Sequence, residues 1–272
     1  MRKPVLMCSL LVALSSQAPT RAQIVEPNTM GVSMGHINLN AKDAAAADRF
    51  WITLGGTAGS HGTLKYVTFP GVLVVTRRAL PSAPAAGSVV DHVGFFVRSL
   101  GQSIENWKAG GVNTETCAIT RPCSITTPDG HVRIDIVENP LLGVPIAFGY
   151  VYFRVFDTGA SGRTSMADMQ AWYARVFGAT PGKEGNIDSA SLPGGTLMFG
   201  KADARTAPTI GRAVNHIGFE VANLEEFYTR AQASGVTFER AFIRRPEMHE
   251  TLTSLIDPWG TRIELNDGVA RW

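Results

Sequence analysis

Four segments of the chain alternate apolar and polar residues with the period of a β-strand. Their apolar positions share one face of each predicted strand: Ile37/Leu39, Val93/Phe95/Val97, Val151/Phe153/Val155 and Ile217/Phe219/Val221. The opposite faces carry His36/Asn38, His92/Gly94, Tyr150/Tyr152/Arg154 and His216/Gly218/Glu220. Each strand is therefore predicted to bury its apolar face under another element and to present polar side chains on the other face.

A helix is predicted after each of these strands. Leu100/Ile104/Trp107 and Leu224/Phe227/Ala231 have the spacing of an apolar helical stripe, and Ser99 and Asn223 stand where N-caps are expected. These helices supply the apolar surface that the strands require.

Two stretches of the chain repeat one another in order. Residues 91–95 read Asp-His-Val-Gly-Phe and residues 215–219 read Asn-His-Ile-Gly-Phe. Each continues through a helix ending in Gly-Val, an Arg-Pro pair and a turn to a last strand, which is Arg-Ile-Asp at residues 133–135 and Arg-Ile-Glu at residues 262–264. Fainter copies begin at residues 35 and 149, so four units of strand, helix and strands are predicted.

One helix and a short sheet cannot cover both faces of a unit, so the sheets are expected to curl in pairs around a shared cleft. The motifs His-[Ile/Val]-Gly-Phe and Asp-Pro-x-Gly-x-Arg-Ile-Glu resemble those of the βαβββ modules in the vicinal oxygen chelate superfamily of glyoxalases, bleomycin-resistance proteins and extradiol dioxygenases. The resemblance covers residues 32–267. It implies an α+β fold of four modules forming two half-barrel domains, expected at residues 32–140 and 146–268.

Composition narrows the ligand class and the cellular location. The chain has 25 Lys+Arg against 23 Asp+Glu, a formal charge of +2, and no basic run, which argues against nucleic acid and favours a small-molecule substrate. Arg2 and Lys3 precede an apolar stretch from residue 5 to residue 14, a pattern typical of a signal peptide over residues 1–22. A periplasmic or secreted protein without a membrane anchor is expected. A buried N-terminal helix is the alternative.

Two cysteines follow the predicted signal peptide. In an exported protein Cys117 and Cys123 can pair as a disulfide. Two unpaired small residues in neighbouring strands are the alternative, and the spacing does not predict a metal site.

The resemblance implies a divalent metal ion, Fe(II), Zn, Ni or Mn, held by side chains on the first and last strands of paired modules. Position by position, the implied ligands are His36, His92, Asp135, His216 and Glu264. Two imidazoles and one carboxylate leave positions open for substrate, oxygen or water. A histidine that begins a strand can instead serve as a hydrogen-bonded structural residue.

Module pairing decides which of these side chains meet. If neighbouring modules pair, one half-barrel holds His36, His92 and Asp135. If the outer modules pair with each other, His36 instead joins His216 and Glu264. The sequence does not decide between the two arrangements, and neighbour pairing is the one that we favour.

Four further residues are candidates for chemistry. Tyr150 replaces the expected histidine, and because a phenol has a pKa of about 10 it is a poor ligand. Tyr150 or Tyr152 is a candidate catalytic donor to a bound oxygen, Arg154 a candidate for binding a substrate carboxylate, and His249 a candidate acid or base. An aromatic wall, a surface arginine and an exposed loop histidine are the alternatives.

Two classes of function follow from the resemblance. The first is a metal-dependent enzyme acting on a small oxygenated molecule, by extradiol-type oxygen insertion or by glyoxalase-type (lyase or isomerase) proton transfer. Export argues against a glutathione adduct as substrate and so favours the dioxygenase-like reaction. The second is a non-catalytic protein that sequesters a small molecule, as bleomycin-resistance proteins do.

Overall fold

The computed structural model describes residues 24–118, 122–156 and 165–272. The predicted signal peptide, residues 1–22, lies outside the described residues. Within the described ranges no helix has both the length and the apolar character needed to cross a membrane.

The outer modules, the first and the fourth, each contain a strand, a helix and three further strands. The first module consists of β1 (Val32–Ala41), α1 (Ala44–Thr53), β2 (Thr57–His61), β3 (Leu64–Phe69) and β4 (Val72–Arg78). The fourth consists of β12 (Val214–Val221), α4 (Leu224–Ala233), β13 (Ile243–Arg245), β14 (Glu250–Ile256) and β15 (Arg262–Asp267), followed by a 3-10 turn at Val269–Arg271.

The inner modules, the second and the third, follow the same order. The second consists of β5 (Val90–Val97), α2 (Leu100–Ala109), a 3-10 turn at Glu115–Ala118, β6 (Cys123–Thr126) and β7 (Arg133–Glu138). The third consists of β8 (Ile146–Phe156), α3 (Met166–Phe177), β9 (Thr180–Glu184), β10 (Ile187–Leu192) and β11 (Gly195–Ala202). The predicted α+β architecture of four modules and two half-barrels is confirmed, with two strands after the helix described in the second module.

The modules pair outer with outer and inner with inner. The first sheet has the order β13-β14-β15-β12-β1-β4-β3-β2, and the second has the order β6-β7-β5-β8-β11-β10-β9. We call these the outer and the inner half-barrel. The favoured neighbour pairing is therefore wrong, because each of the ranges 32–140 and 146–268 contributes one module to the first sheet and the other module to the second.

Connection length accounts for this arrangement. Residues 139–145 form a short link that returns the chain from β7 to β8, antiparallel beside β5 in the same sheet. The longer links 79–89 and 203–213 instead carry the chain across to the other half-barrel. Short connections keep consecutive elements adjacent in space.

One hydrophobic core joins the half-barrels. All apolar positions predicted from the strand alternation are buried in it. The rings of Phe69 in β3 and Phe95 in β5 have centroids 4.9 Å apart, and those of Phe177 in α3 and Phe219 in β12 are 4.8 Å apart. Each contact links an outer module to an inner one, so the concave faces stay free for polar side chains.

Two helix N-caps and a disulfide stabilise local structure. Ser99 and Asn223 are the N-caps of α2 and α4, as expected. Cys117 and Cys123 form a disulfide that ties the 3-10 turn after α2 to β6 in the inner half-barrel.

Candidate metal centre

The central strand pair of the outer half-barrel brings the two ends of the chain together. β1 and β12 are antiparallel, with His36 opposite Gly218 and Asn38 opposite His216. A bulge at Gly35 shifts the alternation of β1, so that His36 and Asn38 share the concave face while the apolar positions stay on the core side.

The third member of the cluster comes from the neighbouring strand. β15 runs parallel to β12 and places Glu264 beside Gly218. Oε1 of Glu264 lies 3.6 Å from Nε2 of His36, and its Oε2 lies 4.0 Å from Nε2 of His216. One candidate ligand atom from each of the three residues lies within 4.8 Å of the other two, and no other described residues form such a group of three histidines, cysteines or acids.

The glycine of the repeated motif has a direct steric role here. A Cβ atom at Gly218 would overlap the imidazole of His36, and one at Gly94 would overlap the ring of Tyr150. The missing side chain therefore lets the ring from the partner strand cross the sheet surface at both equivalent places.

The state of His216 suits a metal ligand. Its Nδ1–H donates to Oδ1 of Asn215 over 2.9 Å, which leaves the lone pair on Nε2. That Nε2 atom is buried and has no hydrogen-bond partner, and it faces the Glu264 carboxylate. A buried acceptor without a hydrogen-bond partner lowers the stability of the folded protein unless a ligand such as a metal ion binds to it.

Burial also sets the charges of the cluster. It lowers the pKa of His216 to about 3 and lowers the pKa of His36, so both imidazoles are neutral at pH 7. Burial alone would raise the pKa of Glu264, but the adjacent His216 and His36 hold it below its ordinary value. Two neutral imidazoles and one carboxylate are the donor set that a divalent transition metal takes.

A cavity of about 450 Å³ opens over this cluster. Its lining includes polar side chains such as Asn38 and Glu250 and apolar ones such as Leu64, Val75 and Trp272. This volume is within the range of small-molecule sites, roughly 300–1,000 Å³.

The segment 268–272 contributes Trp272 to the cavity lining. Glu220 accepts hydrogen bonds from the backbone N–H groups of Gly268 and Val269, each 3.0 Å long. Val269 packs into a small apolar cluster with Tyr66, and the ring of Trp272 stacks on that of His61. Burial raises the pKa of Glu220 to about 7.

The equivalent place in the inner half-barrel has different chemistry. His92 has a carboxylate on each side, with Asp91 Oδ1 2.7 Å from its Nδ1 and Asp135 Oδ2 3.1 Å from its Nε2. The guanidinium of Arg133 lies against the His92 ring, and Ser124 donates to Asp135 over 2.6 Å. An arginine thus supplies positive charge beside His92 and Asp135, and both imidazole nitrogens of His92 have partners, which argues against the metal role predicted for these two residues.

The tyrosines are found beside His92 and not beside the histidine cluster. Burial, together with the Asp135 carboxylate, raises the pKa of Tyr150 well above its ordinary value, so the phenol keeps its proton and faces Asp135 at 3.5 Å. Tyr152 stacks on His92 with 4.4 Å between centroids. Arg154 pairs with the exposed Asp203 at 3.4 Å. None of these three side chains lines the cavity of the outer half-barrel, and Tyr150 lies with His92 and Asp135, as expected if the outer modules pair with each other.

His249 does not contact the cluster either. It is exposed, has a left-handed backbone with φ of 47°, and does not line the cavity, whereas its neighbours Met248 and Glu250 do. The predicted acid or base role of His249 is corrected to that of an exposed turn residue.

Several residues that shape the site were not predicted. Asn215 orients His216, and Asn266 donates to Glu264 over 3.4 Å and to Glu250 over 2.6 Å. Asn215 precedes the motif histidine as Asp91 precedes His92, a repeat signal that could have found it. Glu250 and Arg77 lie outside the repeated motifs and carry no such signal.

Comparisons with known proteins agree with this geometry. Residues 160–265 match the family model of the Glyoxalase/Bleomycin resistance protein/Dioxygenase superfamily. No curated protein matches the chain in sequence. Among solved structures, glyoxalase I from Zea mays has a TM-score of 0.63 at 13% identity, covering 88% of this chain and 94% of the other. A Bacillus subtilis protein described as a candidate dioxygenase has a TM-score of 0.62 at 13% identity, covering 90% and 86%.

Fold and site together define a tandem half-barrel protein whose described residues include a cluster of two histidines and one carboxylate. The match of residues 160–265 to the superfamily model agrees with the resemblance that the sequence motifs predicted, and the chain shares the fold of glyoxalase I. At 13% identity the solved structures establish the fold alone.

Proposed function

We propose that the protein is a metal-dependent enzyme that binds a small molecule through two neighbouring oxygen atoms, with His36, His216 and Glu264 holding the metal ion. The observation that supports this most directly is the buried, unpartnered Nε2 of His216, aimed at a carboxylate and a second imidazole. A divalent metal at this place supplies Lewis acidity for charge that develops on the substrate oxygens.

The protein's own residues prepare the site for such a substrate. Asn215 and Asn266 hold His216 and Glu264 in place by hydrogen bonds, which is how ligands are kept oriented in metal sites. Val75 and Trp272 add apolar surface to the cavity that contains the cluster.

Dioxygenase-like chemistry is the reaction that we favour. A set of two histidines and one carboxylate occupies one face of a metal ion and leaves positions for two substrate oxygens and dioxygen, the arrangement of non-haem iron oxygenases. The Bacillus subtilis protein of similar fold is described as a candidate dioxygenase.

Glyoxalase-like proton transfer is the second candidate, and Glu250 favours it. This buried carboxylate lines the same cavity. Its Oε1 accepts from Asn266, and its Oε2 makes no hydrogen bond but lies 3.5 Å from Arg245. Burial raises the pKa of Glu250, which makes the carboxylate a stronger base toward a proton next to a carbonyl group.

Metal titration of matched variants tests the proposal. We expect His36→Ala, His216→Ala and Glu264→Gln each to weaken Zn²⁺ or Mn²⁺ binding by more than Asn215→Ala does, since loss of an orienting partner costs roughly 10–100-fold. His92→Ala is the matched control and should bind metal as the wild type does. Unchanged binding by His216→Ala and Glu264→Gln would remove the metal centre and leave sequestration without metal.

Activity assays then separate the reactions. The Fe(II)-loaded protein should consume oxygen with a catechol if it is dioxygenase-like, and this should survive Glu250→Gln. Exchange of a substrate C–H proton with solvent, lost in Glu250→Gln, would support the glyoxalase-like reaction instead. Tight ligand binding with neither reaction would favour sequestration.

We also propose that the protein works outside the cytoplasm. The signal-like start of the chain supports this, and so does the Cys117–Cys123 disulfide, which persists in oxidising compartments. Mature protein should begin near Gln23 and contain no free thiol under non-reducing mass spectrometry. A cytoplasmic product that retains Met1 would contradict the proposal.

A further inference from the structure

The charged side chains that line the metal cavity are mostly basic. Four arginines, Arg77, Arg240, Arg245 and Arg262, lie around it, against two acids, Glu250 and Glu264. Among these arginine and acid side chains, four positive minus two negative charges leave an excess of +2.

Two of these arginines are already paired. Nε of Arg262 lies 2.7 Å from the Glu239 carboxylate, and Arg245 lies 3.5 Å from Glu250. The side chains of Arg77 and Arg240 have no hydrogen bond or ion pair within the described part of the chain. They are the guanidinium groups available to a ligand.

The strand register places Arg77 on the cavity side. β4 runs parallel to β1, with Leu73 beside His36, Val75 beside Asn38 and Arg77 beside Asn40. Alternate residues share a face, so Leu73, Val75 and Arg77 form one row that leads from the cluster to the cavity mouth.

Arg78, the next residue, has the opposite orientation. It lines a separate surface cleft together with Lys42 and Asp48. Arg78 is therefore a matched control with the same charge, the same strand and a different face.

Apolar side chains also line this cavity. Leu64, Val75, Met248 and Trp272 line the cavity, and Trp272 is fixed by stacking on His61 with centroids 5.1 Å apart. A ligand that satisfies both features has an apolar body and an anionic group.

Building on the proposed metal centre, we infer that the ligand of this cavity is a small organic acid, whose carboxylate or similar anionic group pairs with Arg77 and Arg240 while its apolar part lies against Val75 and Trp272. The guanidinium groups form charge-assisted hydrogen bonds to the acid, and these bonds are the strong ones among polar contacts. Arg77 is thus a specificity residue, which selects charged over neutral molecules of the same shape.

Two probes that differ only in the acid test this inference. 3,4-Dihydroxybenzoate and catechol share a ring and two adjacent oxygens, and only the first carries a carboxylate. Their dissociation constants would be measured by tryptophan fluorescence and calorimetry on the Zn²⁺-loaded and the metal-free full chain. The variants are Arg77→Gln, Arg240→Gln and the control Arg78→Gln.

We expect the wild type to prefer the benzoate by about tenfold or more, which corresponds to about 1.4 kcal/mol. Arg77→Gln should lower this preference severalfold while leaving catechol binding unchanged, and Arg78→Gln should retain it. The preference should also weaken with added salt. Equal affinities for the two probes, no binding of the benzoate, or a preference that survives both Arg77→Gln and Arg240→Gln would overturn the inference.

The metal titration in the same samples keeps the two proposals apart. Failure of Zn²⁺ to bind would overturn the metal centre, while the preference of the metal-free protein for the acid still reports on Arg77. Normal Zn²⁺ binding without a charge preference would overturn the organic acid alone.

Discussion

The imidazoles of His36 and His216 lie edge to face with their ring centroids 5.3 Å apart, although one belongs to the first module and the other to the fourth. The contact exists because β1 and β12 pair at the centre of the outer half-barrel. Pairing of the chain ends therefore builds the candidate metal centre, and pairing of neighbouring modules would have separated these two rings.

Gly218→Ala tests the steric role of the motif glycine. The new methyl group would overlap the His36 ring, so we expect His36 to be displaced, metal affinity to fall more than tenfold, and stability to drop by about 1–3 kcal/mol. Calorimetric metal titration and urea unfolding measure the two effects.

Gly101→Ala is the matched control for this change. Gly101 lies in α2, has no atom within 4 Å of its would-be Cβ, and should tolerate alanine without loss of metal affinity or stability. Equal metal affinity in Gly218→Ala and the wild type would show that Gly218 does not make room for a ligand.

The inner half-barrel offers a gain-of-function prediction. Arg133 occupies the position that Arg262 has in the outer half-barrel, and Tyr150 occupies the position of His36. Arg262, unlike Arg133, is turned away toward Glu239. The double change Arg133→Met and Tyr150→His removes the guanidinium and adds an imidazole beside His92 and Asp135. Metal content of the dialysed protein should rise from one to two equivalents.

The single change Tyr150→His is the control for that experiment, because Arg133 still neutralises Asp135 and contacts His92. It should leave the content at one equivalent. A double variant that also stays at one would mean that Arg133 and Tyr150 do not explain the difference between the half-barrels.

Glu220 predicts a pH dependence of stability. Its pKa is about 7 in the fold against 4.5 ordinarily, so the folded protein favours the protonated carboxyl. The contribution of Glu220 is complete below pH 4.5 and is lost as the pH rises to about 7, by up to about 3 kcal/mol for a shift of this size.

Urea unfolding of the metal-free wild type and Glu220→Gln at several pH values measures this effect. As the pH rises from 4.5 to 8, the wild type should lose the contribution of Glu220, so the variant should become more stable relative to the wild type. Other titrating groups contribute equally to both proteins and cancel in the comparison. A difference that does not change with pH would contradict the protonated state of Glu220.

The strand alternation and the repeated motifs predicted the modules and the curled, paired sheets, and the family resemblance implied each residue of the outer cluster. The favoured neighbour pairing, however, separated His36 from His216 and Glu264. Alternation reports burial directly, and His216 and Glu264 occupy matching positions in one module. The pairing of the modules could not be predicted from these patterns, because a module can bury its apolar face equally well with either partner module. The relevant signal was the short link at residues 139–145 compared with the longer links at 79–89 and 203–213.

The inner half-barrel shows that equivalent positions in a repeat can have different partners. His92 and Asp135 repeat the positions of His216 and Glu264, but the direction of the Arg133 side chain depends on tertiary contacts. Arg262 occupies the equivalent position and points to Glu239 instead. A repeat thus predicts where a side chain starts from the backbone and not which partner it contacts.

Anomalous X-ray scattering from crystals soaked with Zn²⁺ or Mn²⁺ tests the central claim most directly. We predict one strong peak in the outer half-barrel, about 2.0–2.2 Å from Nε2 of His36, Nε2 of His216 and a Glu264 oxygen. The inner half-barrel should show no peak. A peak between His92 and Asp135, or no peak within coordinating distance of His216 and Glu264, would contradict the account.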